Sequence, residues 1–260
     1  MDTRFWGPSG WRLLHLIATA PAAAKNRDFW ESLPFVLPCK FCRASLTEYY
    51  TVHPIPTVAK DFPKWLYIIH NCVNAKLREQ GQNVPPDPPF EEVNERYNDL
   101  LKQGCTRTYF PGWEFLFCIA DNHPESSPSA PMPDTPTKKP TGFKERNRYN
   151  LLEPKERNHA LKRFWSALPD VLPFEEWRTS WNKHAGPIGK AIANRRSAIA
   201  WLWRIHCGLD KDLKHMGDKD FFGLCKELKE HRSGCATSKR AKTCRAVKGG
   251  GRKTRRHKQR

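Results

Sequence analysis

Two stretches carry the side chains with most chemical reach: Pro38-Cys39-Lys40-Phe41-Cys42, and His70-Asn71-Cys72-Val73-Asn74-Ala75-Lys76-Leu77. Cysteines separated by two residues can close a small disulfide. Where such a pair opens a helix, the first sulfur meets backbone N–H groups that have no helical partner, and these favour thiolate. The chemistry on offer is thiol–disulfide exchange. A zinc site would need two further ligands at zinc spacing, and no second Cys-x-x-Cys exists, so no metal is expected.

The elements that must position these groups read as helices. At helical spacing Cys39, Cys42, Leu46 and Tyr49 share one face, so the dithiol looks into a helical core. His70 and Asn74 lie one turn apart on a stripe with Leu66 and Leu77, and polar groups on such a stripe grip something polar. In Trp6-Gly7-Pro8-Ser9-Gly10-Trp11-Arg12-Leu13-Leu14-His15, the residues Trp11, Leu14, His15 and Ala18 form a face, with Ser9 or Gly10 as the N-cap. Indole, imidazole and amide beside a dithiol suit a flat heteroaromatic cofactor.

These motifs resemble the Erv/ALR family of FAD-linked sulfhydryl oxidases, whose signature runs Trp-x-x-Leu-His, Cys-x-x-Cys, then His-Asn-x-Val-Asn-x-Lys-Leu. All three occur here in order, and the likeness continues to Tyr97. The resemblance implies an all-α fold, a four-helix bundle with a short fifth helix. It implies Cys39 as the sulfur that exchanges with substrate thiols and Cys42 as the one against the flavin, with dioxygen as final acceptor and hydrogen peroxide as product. It also lays Trp11, His15, His70, Asn71, Asn74, Lys76, Leu77 and Tyr97 around FAD, with Gly7 and Gly10 as weaker matches because relatives often carry arginine where Pro8 stands. Tyr49 follows the redox stripe and serves either packing or cofactor contact.

The periodicity predicts helices at about Trp11 to Ala20, Lys25 to Leu33, Cys39 to Tyr50, Phe62 to Arg78 and Phe90 to Gln103, with proline-rich corners between them. Residues 1–120 then form the oxidase-like domain, ending in an aromatic arm. A Pro/Ser-rich linker covers 121–142, a second helical domain 143–235, and a basic tail 236–260. The second domain echoes the first. Phe29-Trp30-Glu31-Ser32-Leu33-Pro34 is matched 135 positions later by Phe164-Trp165-Ser166-Ala167-Leu168-Pro169. At an offset of 136, Trp65-Leu66 and His70 are answered by Trp201-Leu202 and His206. Phe174 and Trp177 stand where the cysteines would be, and Asp210 where Asn74 would be. A degenerate, redox-dead copy without flavin is therefore expected, with no Trp-x-x-Leu-His of its own. The resemblance extends to quiescin sulfhydryl oxidases, which pair an active module with an inactive one in place of a second subunit. The chain is expected to form either a homodimer or such an internal pseudo-dimer.

The 260 residues carry a net charge of +18, unevenly spread. Eleven Lys or Arg and no acid fall in 236–260. Such a tail suits disorder and non-specific contact with polyanions such as nucleic acid. No stretch is long enough to span a membrane. Met1 to Phe5 lead straight into the first motif, so no cleaved leader is expected. Nine cysteines in a leaderless chain conflict with a reducing cytosol. Relatives of large cytoplasmic DNA viruses resolve that conflict, which points to host cytoplasm or virion, with the mitochondrial intermembrane space as the cellular alternative. Reduced protein thiols and dioxygen are the implied partners. For a shuttle pair, Cys105 with Cys118 stands first and Cys235 with Cys244 second; Cys72 reads as a buried thiol, and Cys207 with Cys225 as a brace of the second domain. The rival reading is a non-enzymatic basic virion or nucleic-acid-associated protein on an inactivated oxidase scaffold. The intact Cys39/Cys42 and His70/Asn74 weigh against it.

Overall fold

The computed structural model describes residues 1–105, 108–126, 130–214 and 220–232, which hold twelve α-helices and no strand. The basic tail and the Cys235–Cys244 pairing lie outside the described residues. The first five helices are α1 (Thr3–Thr19), α2 (Arg27–Val36), α3 (Lys40–Val52), α4 (Phe62–Glu79) and α5 (Phe90–Gln103). They follow the expected set, with α1 starting well before Trp11. The early start has a local cause: the Asp2 carboxylate accepts from the Arg4 backbone N–H at 2.9 Å and caps the helix there. Ser9, expected as that cap, is used elsewhere. Its hydroxyl donates to the Pro111 carbonyl (3.0 Å) and accepts from the Phe115 N–H (3.3 Å), so α1 caps the start of α6 (Trp113–Asp121) from outside.

The expected aromatic arm is this buried helix α6, which packs against α1 on one side and α11 (Arg195–Leu213) on the other. Phe115, Leu116 and Cys118 are fully buried. Glycine permits the close approach to α1: a Cβ on Gly112 would stand 2.3 Å from Leu13 Cδ2, and one on Gly10 3.1 Å from the Phe115 ring. The rest of the chain is α7 (Phe143–Arg148), α8 (Pro154–Val171), α9 (Glu175–Ala185), α10 (Ile188–Ala191) and α12 (Phe221–Glu230), with α11 between the last two.

Helix α8 packs lengthwise on α2. At the centre Phe29 stacks on Phe164, centroids 5.4 Å apart, and both rings are fully buried. These two residues correspond at the 135-residue offset. The surrounding rings repeat as well: Trp30 meets Trp65 edge-on at 5.4 Å, and Trp165 meets Trp201 edge-on at 5.3 Å. Residues that correspond at this offset thus meet each other, and each has a similar pair of rings beside it. No helix among the described residues is long and apolar enough to cross a membrane.

Candidate redox and cofactor site

Cys39 is the N-cap of α3, with extended backbone (φ −132°, ψ 127°), and Cys42 lies in the first turn. The dithiol therefore stands at a helix start, where N–H groups and the helix dipole favour negative charge. Cys39 is only 4% exposed, while Cys42 is partly open. Ala130 and Pro131, within the Pro/Ser-rich stretch expected to be a linker, are tied to this corner. Lys40 Nζ donates to the carbonyls of Ala130 (2.8 Å) and Pro131 (3.3 Å). The Asn150 amide also donates to the Ala130 carbonyl (2.9 Å) and accepts from Arg43 Nη2 (2.8 Å). Further along, α7 is fixed to α3 by Asn147, which donates to Thr47 Oγ1 at 2.8 Å.

Helices α3 and α4 run antiparallel, with two side-chain links setting the register. The Tyr49 hydroxyl donates to the Cys72 carbonyl at 3.2 Å, and Lys76 Nζ donates to the Ser45 hydroxyl. Cys42 lies one turn before Ser45 on α3, and on α4 His70 lies six residues, or ~9 Å of rise, before Lys76. There Trp11 stacks on His70 with centroids 4.0 Å apart, His15 stacks on Tyr97 at 5.0 Å, and His15 Nε2 lies 3.0 Å from His70 Nδ1. Beyond His70 on α4 come Asn71, Asn74, Lys76 and Leu77, all half-buried. The fully buried residues of α4 are Phe62, Trp65, Leu66 and Ile69, so its C-terminal half, from His70 on, stands outside the core.

Asn74 is oriented by Asp87, which accepts from its amide at 2.6 Å and from Arg78 Nη1 at 2.9 Å. Sequence reasoning missed Asp87, hidden in a proline run, and also missed Ser45 and Arg43; none of the three carries a periodic signal. Tyr49 joins α3 to α4. Gly10 is not brought to the His15–His70 cluster but faces Phe115, and a Cβ on Gly7 would meet nothing within 4 Å. The Cys105–Cys118 pairing does not form. Cys118 carries a free thiol inside α6, pushed well above the usual range by burial, while Cys105 lies beside Glu176. Cys207 and Cys225 are free thiols too, and Cys72 is a free, half-buried one. No three His, Cys, Asp or Glu among the described residues are grouped to hold a metal ion.

Both imidazoles of the cluster are held neutral. Burial, aided by His70, lowers His15 to about 3, and burial lowers His70 to about 4 against the pull of Asp87. Folded values below the unfolded value of about 6.5 give a contribution to stability that is complete above that pH. It is lost as pH falls from about 6.5 toward those folded values, at up to ~1.4 kcal/mol per pH unit for each ring. Urea midpoints should therefore fall between neutral pH and about pH 5, and His15→Gln should flatten that fall. An unchanged slope in the variant would remove the pair from the acid response.

Among the described residues the fold is all-helical, with a dithiol at a helix start and aromatic, polar and thiol groups carried on α1, α3, α4 and α5, a set of side chains suited to thiol exchange beside a bound ligand. The Erv1 / Alr family matches residues 8–98. Relatives of known name agree. The chain is 34% identical over 83 residues, 29% of its own length and 70% of the relative's, to an FAD-linked sulfhydryl oxidase of African swine fever virus, isolate Pig/Kenya/KEN-50/1950. It is 32% identical over the same share to the FAD-linked sulfhydryl oxidase of isolate Warthog/Namibia/Wart80/1980. No solved structure matches. The chain belongs to the Erv1 / Alr family.

Proposed function

We propose that the protein is a flavin-linked thiol oxidase that forms disulfide bonds in protein substrates, with Cys39 and Cys42 as its redox pair. The observation that supports this is the pairing of α3 with α4 through Tyr49–Cys72 and Ser45–Lys76, which joins the helix that opens on the dithiol to the helix that carries the stacked His70. FAD has three sections to match thiol, polar and aromatic groups: a redox ring, a charged middle and a second ring. The residues fit it, with Trp11, His15, His70 and Tyr97 at the aromatic end and Asn71, Asn74, Lys76 and Leu77 along the middle. When bound, FAD would accept the electron pair from the dithiol and pass it to dioxygen, giving hydrogen peroxide.

The chain's own part is exchange. A substrate thiolate attacks Cys39 Sγ of the oxidised pair, forming a mixed disulfide as Cys42 leaves as thiolate. A second substrate thiolate attacks the substrate sulfur of that bond. The substrate leaves oxidised, and Cys39 and Cys42 remain as the reduced pair.

The second half is read as a degenerate copy in the place of a second subunit. It extends back to α6: Gly112-Trp113 with Leu116, Ile119 and Ala120 repeat Gly10-Trp11 with Leu14, Ile17 and Ala18, and Phe117 replaces His15. In support, Trp113 lies 4.6 Å from His206, where Trp11 meets His70 in the first half. The Ser45–Lys76 link recurs as Ser180 to Asp212 (3.0 Å), and Lys183, His184 and Ser180 hold Asp212 down at about 2. An anion there suits no phosphate. The viral relatives support action in host cytoplasm or virion, with the tail contacting nucleic acid non-specifically.

Purified full-length protein should be yellow and consume oxygen with dithiothreitol as donor. A folded, colourless protein without oxygen uptake would favour the non-enzymatic scaffold instead.

A further inference from the structure

Arg43 follows directly on Cys42 and is 2% exposed. Its Nη1 donates to the Leu37 carbonyl and its Nη2 to Asn150 Oδ1, both at 2.8 Å, while its backbone N–H donates to the Cys39 carbonyl at 3.0 Å. The guanidinium thus folds back over the Leu37-Pro38-Cys39 corner, and its Nε is buried with no partner. Among the described residues no carboxylate pairs with it. The acids on neighbouring elements are engaged elsewhere: Glu48 of α3 with Arg148 of α7, Asp28 and Glu31 of α2 with Arg163, and Glu156 of α8 with Arg146. Arg157 of α8, also buried, acts on Arg43 as a like charge. Burial lowers Arg43 to about 10, and the groups that pull it back up are Cys39 and Cys42.

A buried cation is tolerated when an anion answers it. The second half supplies an internal comparison. Arg178, at the 135-residue offset, repeats the corner clamp, its Nη1 donating to the Leu172 carbonyl at 2.6 Å. There Phe174 and Trp177 replace the cysteines, and Arg178 pairs with Glu175, the counterpart of Lys40. The carbonyl clamp is common to both halves. What differs is the counter-ion, an acid where the sulfurs are missing and none where they are present.

We propose that Arg43 is a positioning residue whose buried guanidinium supplies the fixed positive charge that holds the Cys39–Cys42 dithiol as thiolate. The thiol proton goes to solvent, and the clamp keeps the charge beside the sulfurs through each exchange. This deepens the oxidase reading and rests on the same dithiol.

The test is the pH dependence of iodoacetamide labelling of Cys39 and Cys42 in the reduced full-length protein, kept anaerobic and read by mass spectrometry. The more acidic thiol of the pair should show a midpoint at least about one pH unit below the ordinary ~8.5. Arg43→Gln should raise that midpoint by about one unit, a tenfold loss of thiolate at neutral pH. Arg43→Lys should recover most of it, and Arg178→Gln, which removes only the equivalent clamp, should leave it unmoved. A wild-type midpoint at the ordinary thiol value overturns the proposal even if no variant folds. So does a folded Arg43→Gln with an unchanged midpoint, or an equal shift from Arg178→Gln. Oxygen uptake is measured separately: a low midpoint without turnover leaves the role of Arg43 standing and removes the oxidase reading.

Discussion

Cys42→Ser is expected to end thiol-driven oxygen uptake while the protein keeps its flavin colour. A serine hydroxyl can neither form the disulfide nor carry the anion that leaves when Cys39 is attacked, so the first exchange has nowhere to go. Cys42 lies in the first turn of α3 and packs against the core while partly exposed, and serine keeps its shape but for the one atom. Cys39→Ser should stop turnover equally, because the attacked sulfur is then missing. An oxygen electrode with dithiothreitol, beside a flavin spectrum of each variant, checks both. Uptake above about a tenth of wild type in either variant would mean that electrons enter by another route, since the serine cannot take the cysteine's part in exchange.

Phe164→Ala should destabilise the whole protein by ~3–5 kcal/mol, the usual range for removing a buried aromatic ring. Phe164 is fully buried, stacks on Phe29 and meets Trp165 edge-on at 5.1 Å. The loss is a large part of a typical domain stability of about 5–15 kcal/mol. Because the ring sits where α8 meets α2, damage in the half without cysteines should reach the half that has them. Heat unfolding followed by tryptophan fluorescence and by flavin release should shift together. Flavin release at the wild-type temperature, with only tryptophan fluorescence shifted, would show that the two halves unfold separately.

The redox helix was legible from its residues, because a Cys-x-x-Cys at a helix start and the stripe Leu46 and Tyr49 are local signals. Helix α5 starts and ends where the periodicity puts it, and α4 runs one residue further. The two copies of the Trp-Leu-Pro pattern fall on α2 and α8, which meet at Phe29 and Phe164. What escaped depends on contacts that leave no period in the chain, several of them between residues about a hundred positions apart. Ser9 looks like a cap for its own helix and caps α6 instead. The Trp-x-x-Leu frame at Trp113 was passed over because it stands before the Pro/Ser-rich stretch, at an offset of 102 from Trp11 and not 135. Asp87 and Arg43 take their meaning only from the partners that folding brings to them.

The fastening of Ala130 and Pro131 by Lys40 and Asn150 bears on which thiols can be served. Cys39 is only 4% exposed beside that fastening, so a cysteine on a loose chain end is expected to be oxidised faster than one on a rigid globular surface. Equal rates for the two kinds of substrate would show that enclosure does not select.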